Sequence, residues 1–497
     1  MDMDMRRRRS DLDSENFSST LNMRLKSQLF KEKFSFEIVG KQQLLDSEEG
    51  ILKYPNIKSR SRMKPLLVWI VTLGVFSTAL LRSAIPIYLN VADEKFLELK
   101  KCPACYGVML CPAFLMGDIV PETWSRFKAA QLLNTKNVYF ATFKDKHVVL
   151  KKLGHDPQLE QLDHHILKQS VGLLNNPIQQ VSVSAAVRPY TQQNVWLDCV
   201  KDLEGNGSTL VHRLRVFDPS SQDISSNDLQ SSVGRFRGSD MLMCPSQRKL
   251  NYIENEFVKN NFGLYRLTCL YNLMTLLLLN SEPLIFQTFP AKEGWPFPIY
   301  YGACGRVVVE EYVGPNLAQW LPQASWKERI NAALQLLIIA DKFTNGAADF
   351  RLYLTDLSLF NTAVGSDGTL KIVDGENIVM VDLEKIRKDR PENFDVPYAS
   401  DNAGCEHLPS DPHCMSYSEQ DMCNRLHNDH NFFAVCRELF SPLDSFGLAN
   451  GLPEKILKRF PLIPVYQTDC YSSTIPGVRK SAAKNLISIY QEILADM

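Results

Sequence analysis

Three oxygen-bearing side chains stand at spacings that suit one kind of chemistry. Asp356 is followed five residues later by Asn361 and eighteen residues later by Asp374. Between the last two, apolar runs on either side of Gly365-Ser-Asp-Gly368 read as two short strands joined by a tight turn. Such a hairpin folds Asp374 back beside Asn361, so a carboxylate and an amide oxygen converge as hard ligands suited to Mg²⁺. Asp356 is left nearby to orient or deprotonate a hydroxyl. Phosphoryl transfer needs this set together with a cation on the phosphates. Singly, each residue has a plain explanation: Asp356 as a turn residue, Asn361 in an Asx-turn, Asp374 as a hairpin-end acceptor. Their conjunction carries the weight.

These residues need a scaffold, and the sequence sketches one. Asn137–Phe143 and His147–Leu153 flank a Lys-Asp-Lys turn as a β-hairpin. Trp124, Phe127, Ala130 and Leu133 mark a helix before it, and Asp156-Pro157 starts a helix running to Lys168. Residues 217–234 form an inserted polar loop. An apolar helix follows near Leu264–Leu279, then strand-like runs at Leu284–Phe289 and Gly305–Val313, then a helix over Trp326–Phe343. Short strands punctuated by Gly365, Gly368 and Gly375 lead into a helical final third. The order is β-rich then α-rich, with a hinge-like Val313-Gly314-Pro315 between. That implies an α+β fold of two lobes around a cleft, the small lobe with its Cys-rich start over 102–313 and the large lobe over 314–497.

The chain has 497 residues, 45% hydrophobic and 22% charged, with a formal net charge of −1. Wholesale disorder is excluded by that composition, and no polyelectrolyte partner such as nucleic acid is announced by that charge balance, which leaves room for local patches. Leu66–Leu81 is uncharged, and Pro65 together with a snorkelling Arg82 lengthens it toward the ~20 residues a membrane span requires. The expected anchor covers 66–88. Five basic residues (Lys53, Lys58, Arg60, Arg62, Lys64) precede it and only Arg82 follows closely. The positive-inside rule then predicts a single-pass type II protein with a disordered cytosolic tail, 1–65, and a lumenal C-terminal part. All twelve cysteines lie beyond residue 101, on the side that meets the oxidising compartment. The tail tip Arg6–Arg9 is a solvated charge run or a retrieval signal read by the vesicle coat. Asn206-Gly-Ser is a lumenal glycosylation sequon, whereas Asn16-Phe-Ser faces the cytosol.

Cys102-Pro-Ala-Cys105 has the spacing of a redox or zinc pair, and Cys405, His407, His413, Cys414, Cys423, His427, His430 and Cys436 include enough ligands for zinc. Structural disulfides are the expectation in an oxidising lumen.

The D-x-x-x-x-N spacing, a hairpin and then Asp374-Gly375 resemble the catalytic loop and metal-binding motif of the protein kinase superfamily. Val148–Lys151, Val307–Gly314 and Asp429–Phe440 are similar to its lysine strand, hinge strand and central large-lobe helix, so the resemblance covers roughly 130–440. CPACYG at 102–107, KNVYFATF at 136–143, VVLKKL at 148–153, CPSQR at 244–248, EGWPF at 293–297 and YGACGR at 301–306 resemble the divergent protein kinase domain family of secretory-pathway proteins, in its deleted-in-autism branch. The resemblance implies a two-lobed, disulfide-braced kinase-like fold in the endoplasmic reticulum or Golgi, with a cleaved secreted form compatible with that topology. It further implies ATP with Mg²⁺ or Mn²⁺, held by Lys151, Asn361 and Asp374, with Asp356 facing a protein or glycan hydroxyl. A catalytically inactive binding module is the alternative. The departures are specific: Asn134-Thr-Lys-Asn137 stands where a glycine loop would be, Leu354-Thr355 precedes Asp356, and Glu376 ends the Asp-Phe-Gly position. Glu160, Asp163, Glu254 and Glu256 are all candidates for the lysine's helix partner, and Lys152 replaces Lys151 if the strand slips by one residue.

Overall fold

The structure, a computed structural model, describes residues 90–102, 104–122, 137–154, 157–160, 162–163, 239–261, 266–401, 415–440, 448 and 451–496. The expected anchor, the cytosolic tail, both sequons, the 217–234 loop and the helix around Trp124 lie outside them. Among the described residues no helix is long and apolar enough to cross a membrane.

Period-two burial builds a five-stranded sheet. β1 (Ile119–Pro121), β2 (Val138–Phe143) and β3 (Lys146–Lys151) are followed much later by β4 (Tyr300–Cys304) and β5 (Val307–Glu311). They form one antiparallel sheet in the order β1-β2-β3-β5-β4. Tyr139, Ala141, Phe143, Val148, Leu150, Val307 and Val309 are buried on one face against Phe96, Leu97 and Phe114, as alternation requires when a sheet covers a core on that side. Lys151, Val149 and Glu310 stand on the other face, since Val149 pairs with Glu310 and Lys151 with Val308. The expected β2–β3 hairpin is present, with Phe143 opposite Lys146 and the turn residues Lys144 and Asp145 at positive φ.

Among the described elements between β3 and β4 are the helices α1 (Gln247–Asn260), α2 (Arg266–Leu279) and α3 (Glu282–Thr288). The last corrects the expected strand at Leu284–Phe289. Leu284, Ile285, Phe286 and Phe289 are all buried, so the run lacks the alternation or helical stripe that would have typed it. Pro283 in the first turn was the available helix-start signal.

Farther along the chain β6 (Phe350–Leu354) pairs with β9 (Ile378–Asp382), and β7 (Thr362–Val364) with β8 (Leu370–Ile372). Helix α4 (Trp326–Asn345) opens with a Ser325/Glu328 capping box. It packs with α6 (His430–Phe440) and α8 (Val478–Ala495), following α5 (Leu383–Asp389), while α7 (Ile463–Ser472) lies on α6 and α8. The hinge-like segment is tied to β7: Val364 N donates to Pro315 O at 3.0 Å. Gly314 approaches so closely that a Cβ there would lie 2.1 Å from Val364 O, and its φ is +152°. Only glycine fits.

Four disulfides join described residues: Cys102–Cys105, Cys111–Cys304, Cys244–Cys423 and Cys436–Cys470. The first joins the two cysteines of the redox-or-zinc pair to each other, and the last two occupy cysteines from the zinc candidates. No metal-holding group of His, Cys, Asp or Glu occurs among the described residues.

Candidate functional site

A cleft of about 620 Å³ is lined by Lys151, Glu282, Asp356, Asp374, Glu376 and Asn377, with Lys152 and Asp240 at its border. Five of those eight side chains are carboxylic acids and two are ammonium groups, so the cleft favours cations and requires them for any polyanion to enter.

β3 delivers Lys151 to the cleft at its C-terminal end. The ammonium donates to Glu282 Oε1 at 2.8 Å and to Val373 O at 2.7 Å, and pairs with Glu310 Oε2 at 3.0 Å. Glu282 in turn accepts from Gly375 N at 2.8 Å through Oε2. One buried carboxylate thereby links the lysine strand to the backbone beside Asp374. Burial alone would lower the Lys151 pKa, but Glu282, Glu310 and Asp374 together outweigh it and hold the lysine charged above its usual range. The Glu282 pKa is raised well above its ordinary value, first by burial and then by the charge of Glu310, against the pull of Lys151.

Glu282 was missed in sequence because its segment read as a strand. None of the expected helix partners takes the role. Asp163 pairs with Lys101 and Arg306, Glu256 with Lys259, Glu160 is exposed and Glu254 is a buried residue of α1. The alternative lysine is also accounted for, since Lys152 pairs with Glu98 at 2.8 Å.

β6 leads into Asp356, and helix α6 holds that strand end. Asn431 accepts from Leu354 N at 3.0 Å and donates to Leu352 O at 2.8 Å. His430 Nε2 lies 2.8 Å from Leu354 O; burial lowers its pKa to about 4, so the ring is neutral and donates to that carbonyl. Because this folded-state pKa lies below the unfolded value of about 6.5, the unfolded chain binds more protons between the two. Stability should therefore fall as pH drops from about 6.5 toward 4, by about 3 kcal/mol at most for this residue. Denaturant midpoints across that window should show the slope, and His430→Gln should flatten it.

Asp356 Oδ2 accepts from Asn361 Nδ2 and from Asn377 Nδ2, both at 3.1 Å. Asn361 also donates to Asp356 O at 3.2 Å and is buried, with Oδ1 on the other side of the amide. It backs Asp356 and is absent from the residues that line the cleft. Asp374 accepts from Glu376 N at 3.4 Å, and Glu376 accepts from Asn280 Nδ2 at 2.6 Å. The structure thus brings Lys151, Asp356 and Asp374 to one cleft, places Asn361 just behind it, and adds Glu282, Glu310, Glu376 and Asn377.

A sequence model described as the protein-kinase domain of FAM69 matches residues 273–461, the span that contains Glu282, Asp356 and Asp374. Divergent protein kinase domain 2A of Mus musculus is 36% identical over 387 residues, covering 74% of this chain and 81% of that protein. The Homo sapiens protein of the same name has the same identity and coverage. Divergent protein kinase domain 2B of Homo sapiens is 23% identical over 349 residues, 67% of this chain and 72% of that protein. With the paired lysine and glutamate, the Asp356–Asn361 loop and the Asp374 hairpin in kinase order, these similarities place the chain in the divergent protein kinase domain family.

Proposed function

We propose that the protein is a secretory-pathway kinase that binds ATP with Mg²⁺ or Mn²⁺ and transfers its terminal phosphate to a hydroxyl of a lumenal protein or glycan. The observation that carries this reading is the convergence of Lys151, Glu282, Asp374 and Asp356 on one cleft. Lys151 would contact the nucleotide phosphates, and Asp356 would orient the acceptor hydroxyl. Asp374 and Asn361 Oδ1 fit a hard divalent cation in chemistry: both are oxygen donors, and Mg²⁺ characteristically takes one or two carboxylates and completes its shell with water and phosphate. Such a cation would neutralise the phosphates against the acidic cleft. Four disulfides among the described residues support an oxidising lumen, and with them the type II anchor at 66–88 in the endoplasmic reticulum or Golgi membrane.

The full chain in detergent should show a thermal shift with millimolar ATP and Mg²⁺ or Mn²⁺, corresponding to about 2.7 kcal/mol at 100-fold excess over the dissociation constant. Asp374→Ala should erase it. No shift in the wild-type protein with either metal would remove the nucleotide reading. One observation favours the second reading, a catalytically inactive binding module: the Lys151 ammonium is already held by two hydrogen bonds and an ion pair to protein oxygens.

A further inference from the structure

A lysine ammonium has three N–H donors. In this cleft Glu282 Oε1 and Val373 O accept hydrogen bonds from Lys151 at 2.8 and 2.7 Å, and Glu310 Oε2 forms an ion pair with it at 3.0 Å. A phosphate oxygen that reaches Lys151 must displace one of them, and the three are not equivalent. Glu282 is bound on both sides, its second oxygen accepting from Gly375 N. Val373 O is main chain, one residue before Asp374. Glu310 is held by Lys151 through one oxygen, while the other, Oε1, is buried without a hydrogen-bond partner. Its side chain is 1% exposed. A buried acceptor left unsatisfied is destabilising, more so when charged, so Glu310 is the least well-provided of the three ligands. It is also the least expected, because the adjoining positions of its strand, Val307, Val308 and Val309, are apolar and buried.

We propose that Glu310 is an internal competitor for the nucleotide, occupying on Lys151 the place of a phosphate oxygen and setting the affinity of the site. The proposal rests on the nucleotide reading of the cleft. Two effects act in the same direction. Glu310 occupies a place beside the ammonium that the phosphate needs, and its negative charge, beside that of Asp374, repels a polyanion. The metal-bound nucleotide must overcome both before it can engage Lys151.

The test is nucleotide titration of the full chain in detergent, comparing wild type, Glu310→Gln and Glu310→Met. Melting curves establish that each variant is folded. Affinity for ATP with Mn²⁺ should rise about tenfold or more in Glu310→Gln, the scale expected for removing one like charge a few ångströms from the phosphates. Glu310→Met should gain at least as much, since it offers Lys151 no acceptor at all. Adenosine, which carries no phosphate, should bind with unchanged affinity in all three. Equal or weaker ATP binding by both folded variants would overturn the proposal, and so would an equal gain for adenosine, which would indicate a loosened cleft. Absence of ATP binding in all three folded proteins would remove the nucleotide reading and this proposal together. Binding by the variants but not by wild type would be its strongest support.

Discussion

Lys249→Met should destabilise the protein by about 3 kcal/mol or more, because it leaves several buried carbonyls without a donor. Lys249 is fully buried. Its ammonium donates to the carbonyls of Met241 at 2.8 Å, Met243 at 2.5 Å, Cys244 at 3.0 Å and Met380 at 3.1 Å. Three N–H groups serve four acceptors from two separate pieces of chain, so Lys249 joins the segment before α1 to β9. Burial lowers its pKa to about 7 while Asp382 pulls the other way, and either protonation state leaves N–H donors for the carbonyls. Methionine keeps the length and apolar stem of lysine but supplies none. Each deserted carbonyl would then carry a desolvation cost of about 1–3 kcal/mol unless the loop opens to water. Against a total stability of about 5–15 kcal/mol, a loss of this size should shift the denaturant midpoint strongly. An unchanged midpoint would show that the carbonyls find other donors.

The same residue illustrates what could be read from the sequence. Lys249 sits in an ordinary polar helix start, Ser246-Gln-Arg-Lys249, and nothing in that pattern marks a buried ammonium. The acceptors that make burial tolerable come from Met380 far along the chain and from a turn that has no sequence signature. Lys151, Asp356 and Asp374 were legible because their spacing is local to strands and hairpins whose periodicity is strong. Asp356 and Asp374 lie within one short stretch, and Lys151 closes the run Val148–Lys151 that resembles the kinase lysine strand. Glu282 was not legible for a physical reason. A short run buried on all sides loses its amphipathic period, so the helix that presents it looked like a strand. Glu310 was visible as an acid in an apolar strand, but its meeting with Lys151 depends on β3–β5 pairing across a long insertion. Pairings between distant segments, including Cys111–Cys304, are set by tertiary packing and leave little local trace.

Asp356→Ala should leave the nucleotide-induced thermal shift nearly intact while lowering phosphoryl transfer by about 10²–10⁴-fold, the usual contribution of a positioned general base. Asp356 is exposed at the cleft and pairs with neither Lys151 nor Glu282 in the ion-pair network. Its carboxylate is steered by the amides of Asn361 and Asn377, and its main chain by α6 through His430 and Asn431. Removing the carboxylate should therefore cost orientation of the acceptor hydroxyl and little of the nucleotide contact, which the reading assigns to Lys151 and Asp374. Asp356→Asn sharpens the test. It preserves shape, but its amide neither carries the charge nor accepts the hydroxyl proton, so transfer should fall as far as with alanine. Turnover that survives both substitutions would move the base elsewhere in the cleft. A wild-type protein that binds ATP with metal yet transfers no phosphate to protein or glycan acceptors would select the inactive module instead. In that case Glu310 and Glu282 would be read as the pair that has retired Lys151 from catalysis while keeping the two lobes joined.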